Sequence, residues 1–525
     1  MDIAGLRFIF SDNICTNYIK SAKDLEKLNK FIPYLFGSYR LDSMLLKIHN
    51  ESLSDNYKEY PVSIFVDMAR YAILNSTMYG EIAAISDEEF RELLRITAEI
   101  ATYDVKFLEN IRVRPQEATA SFILRAVGSQ FRWDIYINNM IMFYRTIFIF
   151  DELANTQDAP KFIKYVLDHK FKERFGLPLL DFITMGFILF AGSNKIGGMR
   201  RSYFDQFREK GIKLPCDEDL KEFLNQVICD SEQFRSDPDF KKLNLNPLLK
   251  YPLIRIWKDS AQEEASEDKF IAPIPGLIIY KFSTGIYYQL RTEFGEKFTT
   301  AFGELFELYV GKLLEWYKLP GKILSGKDIK SYCTNKLHYT GKIPDWVILE
   351  DKGITLIECK ATYYSQDMYE NGVDATIKTC VDHIIKANKQ FDEFETKIPE
   401  LCNIADINYD NQPVQKVIVT FEPLVGLKWG PFRDMINEGK TKDWKALWVW
   451  ELEIIQPYIA KGADFWSFLI DYDSMTFHDI GKIVTKMKSQ TGADHEENRL
   501  LEYGERIFGK LIKIEERMDR IGKEI

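Results

Sequence analysis

The sequence predicts an α+β protein of several domains, in which a mostly α-helical N-terminal domain precedes an α/β core with a mixed central sheet. Three observations predict this class. At 525 residues the chain is longer than one ordinary domain. Its first half repeats apolar residues at three- and four-residue steps, whereas its second half contains short runs rich in Ile, Val and Thr. Hydrophobic residues make up 46% of the chain, which is enough to form sizeable cores.

The N-terminal half shows the helical pattern most clearly in the segments that begin at Glu88 and Lys161. Residues 258–275 are acidic and then contain prolines, which is typical of an exposed loop. We therefore predict a helical substrate-sensing or partner-binding domain at residues 1–257 and a linker at 258–275. An α/β domain at 276–465 and a C-terminal helical extension at 466–525 follow.

Cysteine usage and apolar runs exclude several classes of protein. The seven cysteines form no CxxC pair, so the sequence indicates neither a zinc site nor a disulfide framework and favours a reduced, cytoplasmic protein. The N-terminus lacks the pattern of a signal peptide. The most apolar run, Phe182–Gly192, is far shorter than the roughly 20 residues of a membrane span, so we predict a buried helix and no membrane segment.

The second half alternates helices and strands. A long helical stretch runs to about Tyr317, and an amphipathic helix is predicted at 373–398. The predicted strands are residues 342–350, 353–361, 414–424 and 445–455. The order helix, strands, helix, strand is typical of an α/β layer with a mixed sheet.

A hairpin brings charged residues together in this layer. Only Asp351 and Lys352 separate the first two strands, and the register of a two-residue turn places Asp345 directly or, after a small slip, diagonally opposite Glu358. Because side chains alternate along a strand, Glu358 and Lys360 share one face. Two carboxylates at that separation repel each other unless a cation lies between them.

Magnesium is the cation that best suits this arrangement. Mg²⁺ prefers carboxylate oxygens and retains several waters. A bound metal polarises a phosphoryl oxygen, and Lys360 can hold or help deprotonate the attacking water. The residues are therefore chemically sufficient to hydrolyse a phosphodiester, with Mn²⁺ as a possible substitute. The alternative is an ordinary salt-bridged strand end formed by Glu358 and Lys360.

The motif Pro344-Asp345 followed by Glu358-Cys359-Lys360 resembles that of the PD-(D/E)XK, or restriction-endonuclease-like, nuclease superfamily, of the RecB and Mrr type. The resemblance covers about residues 290–425. It implies that Asp345 and Glu358 bind the metal, that the backbone carbonyl of Cys359 is a further ligand and that Lys360 assists the water.

The resemblance also implies two further site residues, one on each of two helices. The segment FELYV at 306–310 looks like the family's F-E-x-Y-V pattern and makes Glu307 the supporting acid, with Glu304 as a weaker candidate. The helix after the hairpin would supply a Lys or Gln, for which Gln390 is preferred over Lys386 and Lys389. The resemblance therefore assigns a restriction-endonuclease-like nuclease domain to residues 276–465.

Two basic stretches are candidates for contacting phosphate. Residues 318–342 contain six lysines and one acid, and a second stretch covers 195–213. The candidate contacts are Lys322, Lys327, Lys330 and Lys342 in the first stretch and Arg200 and Arg201 in the second. A solvated loop is the alternative for both stretches. The net charge of −10 counts mildly against nucleic-acid binding, although phosphate contact depends on local charge.

We predict a magnesium-dependent DNA nuclease. The resemblance implies a place in a bacterial antiviral defence or restriction system, together with a second protein. A catalytically inactive nucleic-acid-binding module, an RNase acting on structured RNA and a scaffold whose helical half only binds protein are the alternatives. The C-terminal helix carries a short heptad seam from Ile507 to Ile525, which would either dock on the chain's own surface or form a homodimer or partner interface.

Overall fold

The computed structural model describes residues 2–3, 6–7, 22–58, 60–77, 84–102, 140–196, 198–236, 247–256, 269–333, 338–361, 381–404, 411–423, 444–472 and 480–509. It confirms an α+β architecture. Besides a short antiparallel pair, β1 (Asp2–Ile3) and β2 (Leu6–Arg7), the described residues form a five-stranded and a four-stranded sheet, both mixed.

Helices cover most of the described residues before the five-stranded sheet. The first eleven are α1 (Ala22–Gly37), α2 (Leu41–Ser52), α3 (Val62–Asn75), α4 (Asp87–Thr102), α5 (Met140–Ile147), α6 (Lys161–Tyr165), α7 (Phe171–Phe175), α8 (Leu179–Ile196), α9 (Asp205–Glu209), α10 (Asp217–Asn225) and α11 (Ser231–Ser236). The segments predicted as helical from Glu88 and Lys161 lie in α4 and in α6 to α7, the latter joined by a π-helical turn at Val166–Lys170.

The later helices surround or follow the five-stranded sheet. They are α12 (Gly276–Lys281), α13 (Thr284–Tyr317), α14 (Gly326–Tyr332), α15 (Lys386–Glu395), α16 (Ile398–Ile404), α17 (Val449–Ala460), α18 (Phe465–Tyr472), α19 (Ile480–Thr491) and α20, residues 499–509. Helix α13 is broken at Gly295, whose φ of 58° and ψ of −140° suit a residue without Cβ.

The five-stranded sheet contains β7 (Lys322–Ser325), β8 (Trp346–Glu350), β9 (Gly353–Lys360), β10 (Val414–Thr420) and β11 (Trp444–Trp448), in the order β11-β10-β9-β8-β7. Strands β7, β8 and β9 are antiparallel, whereas β9, β10 and β11 are parallel. A parallel connection needs a crossover, and α15 lies between β9 and β10 along the chain. The predicted mixed sheet is therefore present.

The two faces of this sheet are covered by different helices. Leu356 on β9 belongs to a buried cluster with Phe391 and Phe394 of α15. Ile357, the next residue along the strand, belongs to a larger cluster with Phe306 of α13. The alternation that separates these neighbours also directs Glu358 and Lys360 towards the α15 face.

The four-stranded sheet corrects one prediction. It contains β3 (Met199–Arg200), β4 (Ile228–Cys229), β5 (Leu253–Ile256) and β6 (Lys269–Ile271), in the order β3-β6-β5-β4. Strand β6 lies inside the predicted linker, and residues 270–275 are buried. The prediction of an exposed loop is therefore wrong for residues 269–275, because this segment pairs with β5 and β3. Residues 257–268 lie outside the described part.

The predicted strand at 445–455 is wrong after Trp448, because α17 begins at Val449. The Glu451 carboxylate accepts a hydrogen bond from the backbone N–H of Trp448 at 2.8 Å, which satisfies one of the donors at the helix start. Helix α17 is almost wholly buried, and a short apolar run does not distinguish a buried helix from a buried strand.

Other predicted boundaries shift by a few residues. The strand predicted at 342–350 begins at Trp346, and the strand predicted at 414–424 ends at Thr420. The helix predicted at 373–398 is seen as a π-helical turn at Val381–Ile385 and then α15, while residues 373–380 lie outside the described part. The run Phe182–Gly192 lies in α8, a largely buried helix.

The largest buried cluster extends across the predicted domain boundaries, since it includes Ile141 of α5, Phe302 of α13 and Phe508 of α20. Where one domain ends and the next begins stays a prediction. Within the described ranges, no single helix is both long and apolar enough to cross a membrane. A pair of helices bent by 50°, Lys161–Phe175 and Leu179–Ser193, passes that test jointly on length and composition.

The C-terminal helix packs on the chain's own core over its described length. Phe508 is fully buried, and its ring stacks on Phe187 of α8 with the ring centroids 4.7 Å apart. Most of the predicted heptad seam, from Leu511 onward, lies outside the described residues, so a homodimer through it stays a prediction.

Candidate active site

Four elements meet at the end of the five-stranded sheet opposite the β8–β9 turn. Helix α13 carries Glu307, the segment before β8 carries Asp345, strand β9 carries Glu358 and Lys360, and α15 carries Gln390. We call these five residues the carboxylate edge. The sequence places them up to 83 residues apart, and the fold gathers them at one place.

The hairpin has the predicted register. Trp346 pairs with Ile357 and Glu350 pairs with Gly353, so the two-residue turn is Asp351-Lys352. Asp345 lies one residue before this ladder. The indole N–H of Trp346 donates to the backbone carbonyl of Glu307 at 3.2 Å. This contact ties the Glu307 helix to the hairpin beside Asp345.

Glu358 is a buried carboxylate with two donors. It is 4% exposed. The Lys360 ammonium donates to Oε1 at 2.6 Å, and the Gln390 amide donates to Oε2 at 2.6 Å and to the Ile343 carbonyl at 2.5 Å. Lys386 and Lys389, the other candidates on this helix, are exposed. The preferred candidate Gln390 therefore reaches Glu358.

Asp345 is held by backbone groups. Its Oδ2 accepts a hydrogen bond from the Cys359 N–H at 2.6 Å, and the Gly326 N–H donates to its backbone carbonyl at 2.7 Å. The thiol of Cys359 points to the opposite face, where it is 8% exposed and belongs to the larger core. The predicted role of the Cys359 carbonyl as a metal ligand stays a prediction.

The carboxylates raise one another's pKa. Burial, and then the negative charges of Glu358 and Glu307, hold the pKa of Asp345 well above its usual value. Burial, followed by the charges of Glu358 and Glu304, raises the pKa of Glu307 to about 7. Burial also raises the pKa of Glu358, although Lys360 opposes that shift. Three acids are thus held close enough to interact.

Burial and charge act against each other at Lys360. Burial lowers the pKa of the Lys360 amine, but the charge of Glu358 and the hydrogen bond to it outweigh burial and raise that pKa overall. Lys360 therefore stays cationic while it is paired with Glu358. The ion pair of the alternative interpretation is present, but it lies in a buried site with two further acids rather than at an exposed strand end.

The donor set suits a hard divalent cation. Carboxylate oxygens are the ligands that Mg²⁺ prefers, and the mutually raised pKa values mark an excess of negative charge that a cation would neutralise. Among the described residues, no three His, Cys, Asp or Glu side chains form a ready-made metal-binding group. Both oxygens of Glu358 are occupied by Lys360 and Gln390.

Comparison with family models, with curated proteins and with solved structures gave no match. The interpretation of the site therefore depends on its own geometry and on the resemblance of the motif.

The predicted phosphate-binding residues separate into groups. Lys342 lies close enough for its charge to lower the pKa of Glu358. Lys327 and Lys330 are exposed on α14, which begins beside Asp345, and Lys327 pairs with Asp158 at 2.7 Å. Lys322, in contrast, pairs with Leu349 near the hairpin turn, at the far end of the sheet.

The two arginines lie in another sheet. Arg200 pairs with Lys269 in the four-stranded sheet, not in the sheet that carries the acids. The side chain of Arg201 is outside the described part. The prediction that Lys322, Arg200 and Arg201 bind nucleic acid therefore gains no support from proximity to the carboxylate edge.

The sequence analysis missed Lys416 on β10. Its ammonium is 5% exposed and lies 2.8 Å from Asp392 and 2.9 Å from Glu395, both on α15. These ion pairs hold α15, the helix that carries Gln390, against the sheet. A lysine in the apolar run VQKVIVTFE was the available signal, because a buried charge needs partners.

Proposed function

We propose that the chain is a magnesium-dependent nuclease of the PD-(D/E)XK type that hydrolyses phosphodiester bonds in DNA. The observation that carries the proposal is the environment of Glu358, which is buried, is held by Lys360 and Gln390, and lies close enough to Asp345 for its charge to raise the pKa of Asp345. The order of α13, three antiparallel strands, α15 and a parallel strand also agrees with the restriction-endonuclease-like core that the motif implies.

Each residue of the carboxylate edge has a role in this proposal. Asp345 and Glu358 would hold the metal, which activates water and stabilises the leaving oxygen when bound. Lys360 positions the attacking water and stabilises negative charge beside the scissile phosphate. Gln390 fixes the orientation of Glu358, and Glu307 would support the metal or its water.

Nearby lysines suit a phosphate backbone. Lys342 is exposed close to the carboxylate edge, and Lys327 and Lys330 are exposed on α14, which begins beside Asp345. Lysine ammonium groups attract phosphate without reading the base sequence, so these contacts would position DNA rather than select a site. A role in bacterial defence, with a second protein and with the helical part sensing the substrate, belongs to the same proposal.

The proposal is tested by incubating the full chain with linear and circular DNA in Mg²⁺, in Mn²⁺ and in excess EDTA. We expect cleavage with either metal and none with EDTA. Asp345→Asn and Lys360→Met should each lower the cleavage rate at least 100-fold, the scale typical of losing a metal ligand or a group that stabilises the transition state.

A matched pair on α13 serves as the control. Glu307→Gln should lower the rate, whereas Glu304→Gln, at an exposed position one turn earlier, should leave it within about twofold. Absence of cleavage on every substrate, or full activity of the Asp345 and Lys360 variants, would contradict the proposal and favour an inactive nucleic-acid-binding module. Cleavage of structured RNA but not of DNA would replace DNA with RNA as the substrate.

A further inference from the structure

Lys281 is a buried amine that lacks a counter-ion. It is the last residue of α12, a helix whose six residues are all buried, and its own exposure is 5%. Its Nζ donates a hydrogen bond to the side-chain oxygen of Gln289 at 3.1 Å. Among the described residues, no carboxylate forms an ion pair with it. Burial of an unpaired charge is costly, so the neutral amine is favoured over the ammonium ion.

The charges that act on this amine are positive. Lys250 follows the 3-10 turn Pro247–Leu249, which packs on α12. The Lys250 side chain is exposed, its Nζ lies 5.0 Å from the centre of the Tyr251 ring, and within the described part of the chain it forms no ion pair. Burial, and then the charges of Lys250 and Arg174, lower the pKa of Lys281 to about 7.

An amine in these surroundings is a nucleophile. Lysine reacts through its neutral form, and either removal from water or a neighbouring cation activates it. Lys281 has both. Because little of its side chain is exposed, the electrophile must be small. Because the neighbouring charges are positive, a product that carries negative charge is favoured. Carbon dioxide meets both conditions, since it has three atoms and converts an amine into an anionic carbamate.

We propose that Lys281 is a carbamate-forming site for CO2, and that Lys250 stabilises the carbamate. The Nζ lone pair attacks the carbon of CO2 and forms a C–N bond, while one C–O π bond yields its electron pair to oxygen. Nitrogen then releases a proton to solvent. The reaction needs no oxidant, reductant or leaving group. Arg174 is already paired with Glu293 at 3.0 Å, so Lys250 is the partner for the new anion.

The carbamate would join two segments of the helical half. An ion pair from Lys281 to Lys250 would link the end of α12 to the chain that leads into β5. Helix α13, which carries Glu307, begins three residues after Lys281. A ligand that combines only with the folded chain raises its stability, so CO2 would stabilise the start of this helix. The proposal involves neither DNA nor metal and is independent of the nuclease proposal.

The test traps the carbamate on the full chain. The protein is equilibrated with dissolved CO2 at pH 8, the carbamate is converted to its ethyl ester with a trialkyloxonium salt, and the modified lysine is located by mass spectrometry of peptides. We expect trapping at Lys281. The matched control within the same molecule is Lys416, which is equally buried at 5% but is paired with Asp392 and Glu395 and therefore stays cationic.

The pH dependence and two variants complete the test. With a pKa of about 7, about nine-tenths of the Lys281 amine is neutral at pH 8 and about one-tenth at pH 6. At constant dissolved CO2, the trapped fraction should therefore fall at least tenfold between these values. Lys250→Gln should lower the trapped fraction at least fivefold at pH 8. CO2 should raise the thermal midpoint of the intact chain but not that of Lys281→Met.

Three outcomes would overturn the proposal. They are no trapping at Lys281 in the intact chain at pH 8, equal trapping at Lys281 and Lys416, and an unchanged trapped fraction in a Lys250→Gln variant that circular dichroism shows to be folded. The first two are measured on the unmodified sequence, so they do not depend on whether a variant folds.

Discussion

Replacing Glu453 by Gln should destabilise the chain by several kcal/mol, because Glu453 neutralises a fully buried arginine. Arg145 of α5 and Glu453 of α17 form two hydrogen bonds of 2.5 Å, and their side chains are 3% and 0% exposed. The Tyr309 hydroxyl of α13 donates to the same carboxylate at 2.5 Å. The amide of Gln can satisfy only part of this set and carries no charge.

The magnitude follows from the burial of the pair. Removing one partner of a buried ion pair leaves an uncompensated charge and costs about 3–5 kcal/mol. Tyr309→Phe removes one hydrogen bond to a charged acceptor and should cost about 1.5–3 kcal/mol. Glu293→Gln is the matched control, since its ion pair with Arg174 is 43% and 58% exposed and should be worth 1 kcal/mol or less.

Equilibrium unfolding in urea, followed by the fluorescence of the nine tryptophans, measures these differences. We expect Glu453→Gln to lower the unfolding midpoint strongly, Tyr309→Phe to lower it less and Glu293→Gln to leave it almost unchanged. If Glu453→Gln changed the free energy of unfolding by less than 1 kcal/mol, the buried pair would not be formed in solution.

Three further predictions concern other buried residues. Burial lowers the pKa of Lys281 in the folded protein to about 7, from its ordinary value of 10.5. Burying the charged amine therefore destabilises the folded chain fully below pH 7, and this cost disappears as the pH rises towards 10.5. In urea titrations, Lys281→Met should therefore stabilise the chain most at pH 6, by up to about 5 kcal/mol, with the gain shrinking by pH 10. Gly311→Ala should destabilise by about 1–3 kcal/mol, because its Cβ would meet the ring of Trp346, whereas Gly303→Ala on the same helix faces open space and should be neutral or stabilising. Equal effects in the two glycine variants would refute that contact. Lys416→Met should loosen α15, whose Gln390 binds Glu358, and should lower the DNA cleavage rate severalfold. An unchanged rate would exclude a positioning role for Lys416.

Much of the hairpin could be predicted because its physics is local. A two-residue turn fixes the strand register, and the period of two fixes which side chains share a face. Those rules predicted the pairing that the structure has from Trp346 with Ile357 to Glu350 with Gly353, and they directed Glu358 and Lys360 to one side. Asp345 lies one residue before the paired strand and accepts a hydrogen bond from the Cys359 N–H. Glu307 and Gln390 were identified only through the resemblance of the motif, because their positions depend on tertiary packing.

The errors occurred where local sequence does not determine the structure. Strands of two to four residues, such as β3 to β6, are too short to show a period. The segment from Val449 is buried on all sides, so its apolar run predicted a strand where a helix forms. Lys416 was missed because its partners on α15 lie more than 20 residues earlier in the chain.

The stacking of Phe508 on Phe187 has a practical consequence for anyone who trims this chain. A fragment limited to residues 276–465 would lose both rings together with Arg145. Apolar surface that is buried in the intact chain would then be exposed to water. Such a fragment should aggregate when expressed alone. The carboxylate edge is therefore best studied in the intact chain, where distant segments complete the apolar layer beneath it.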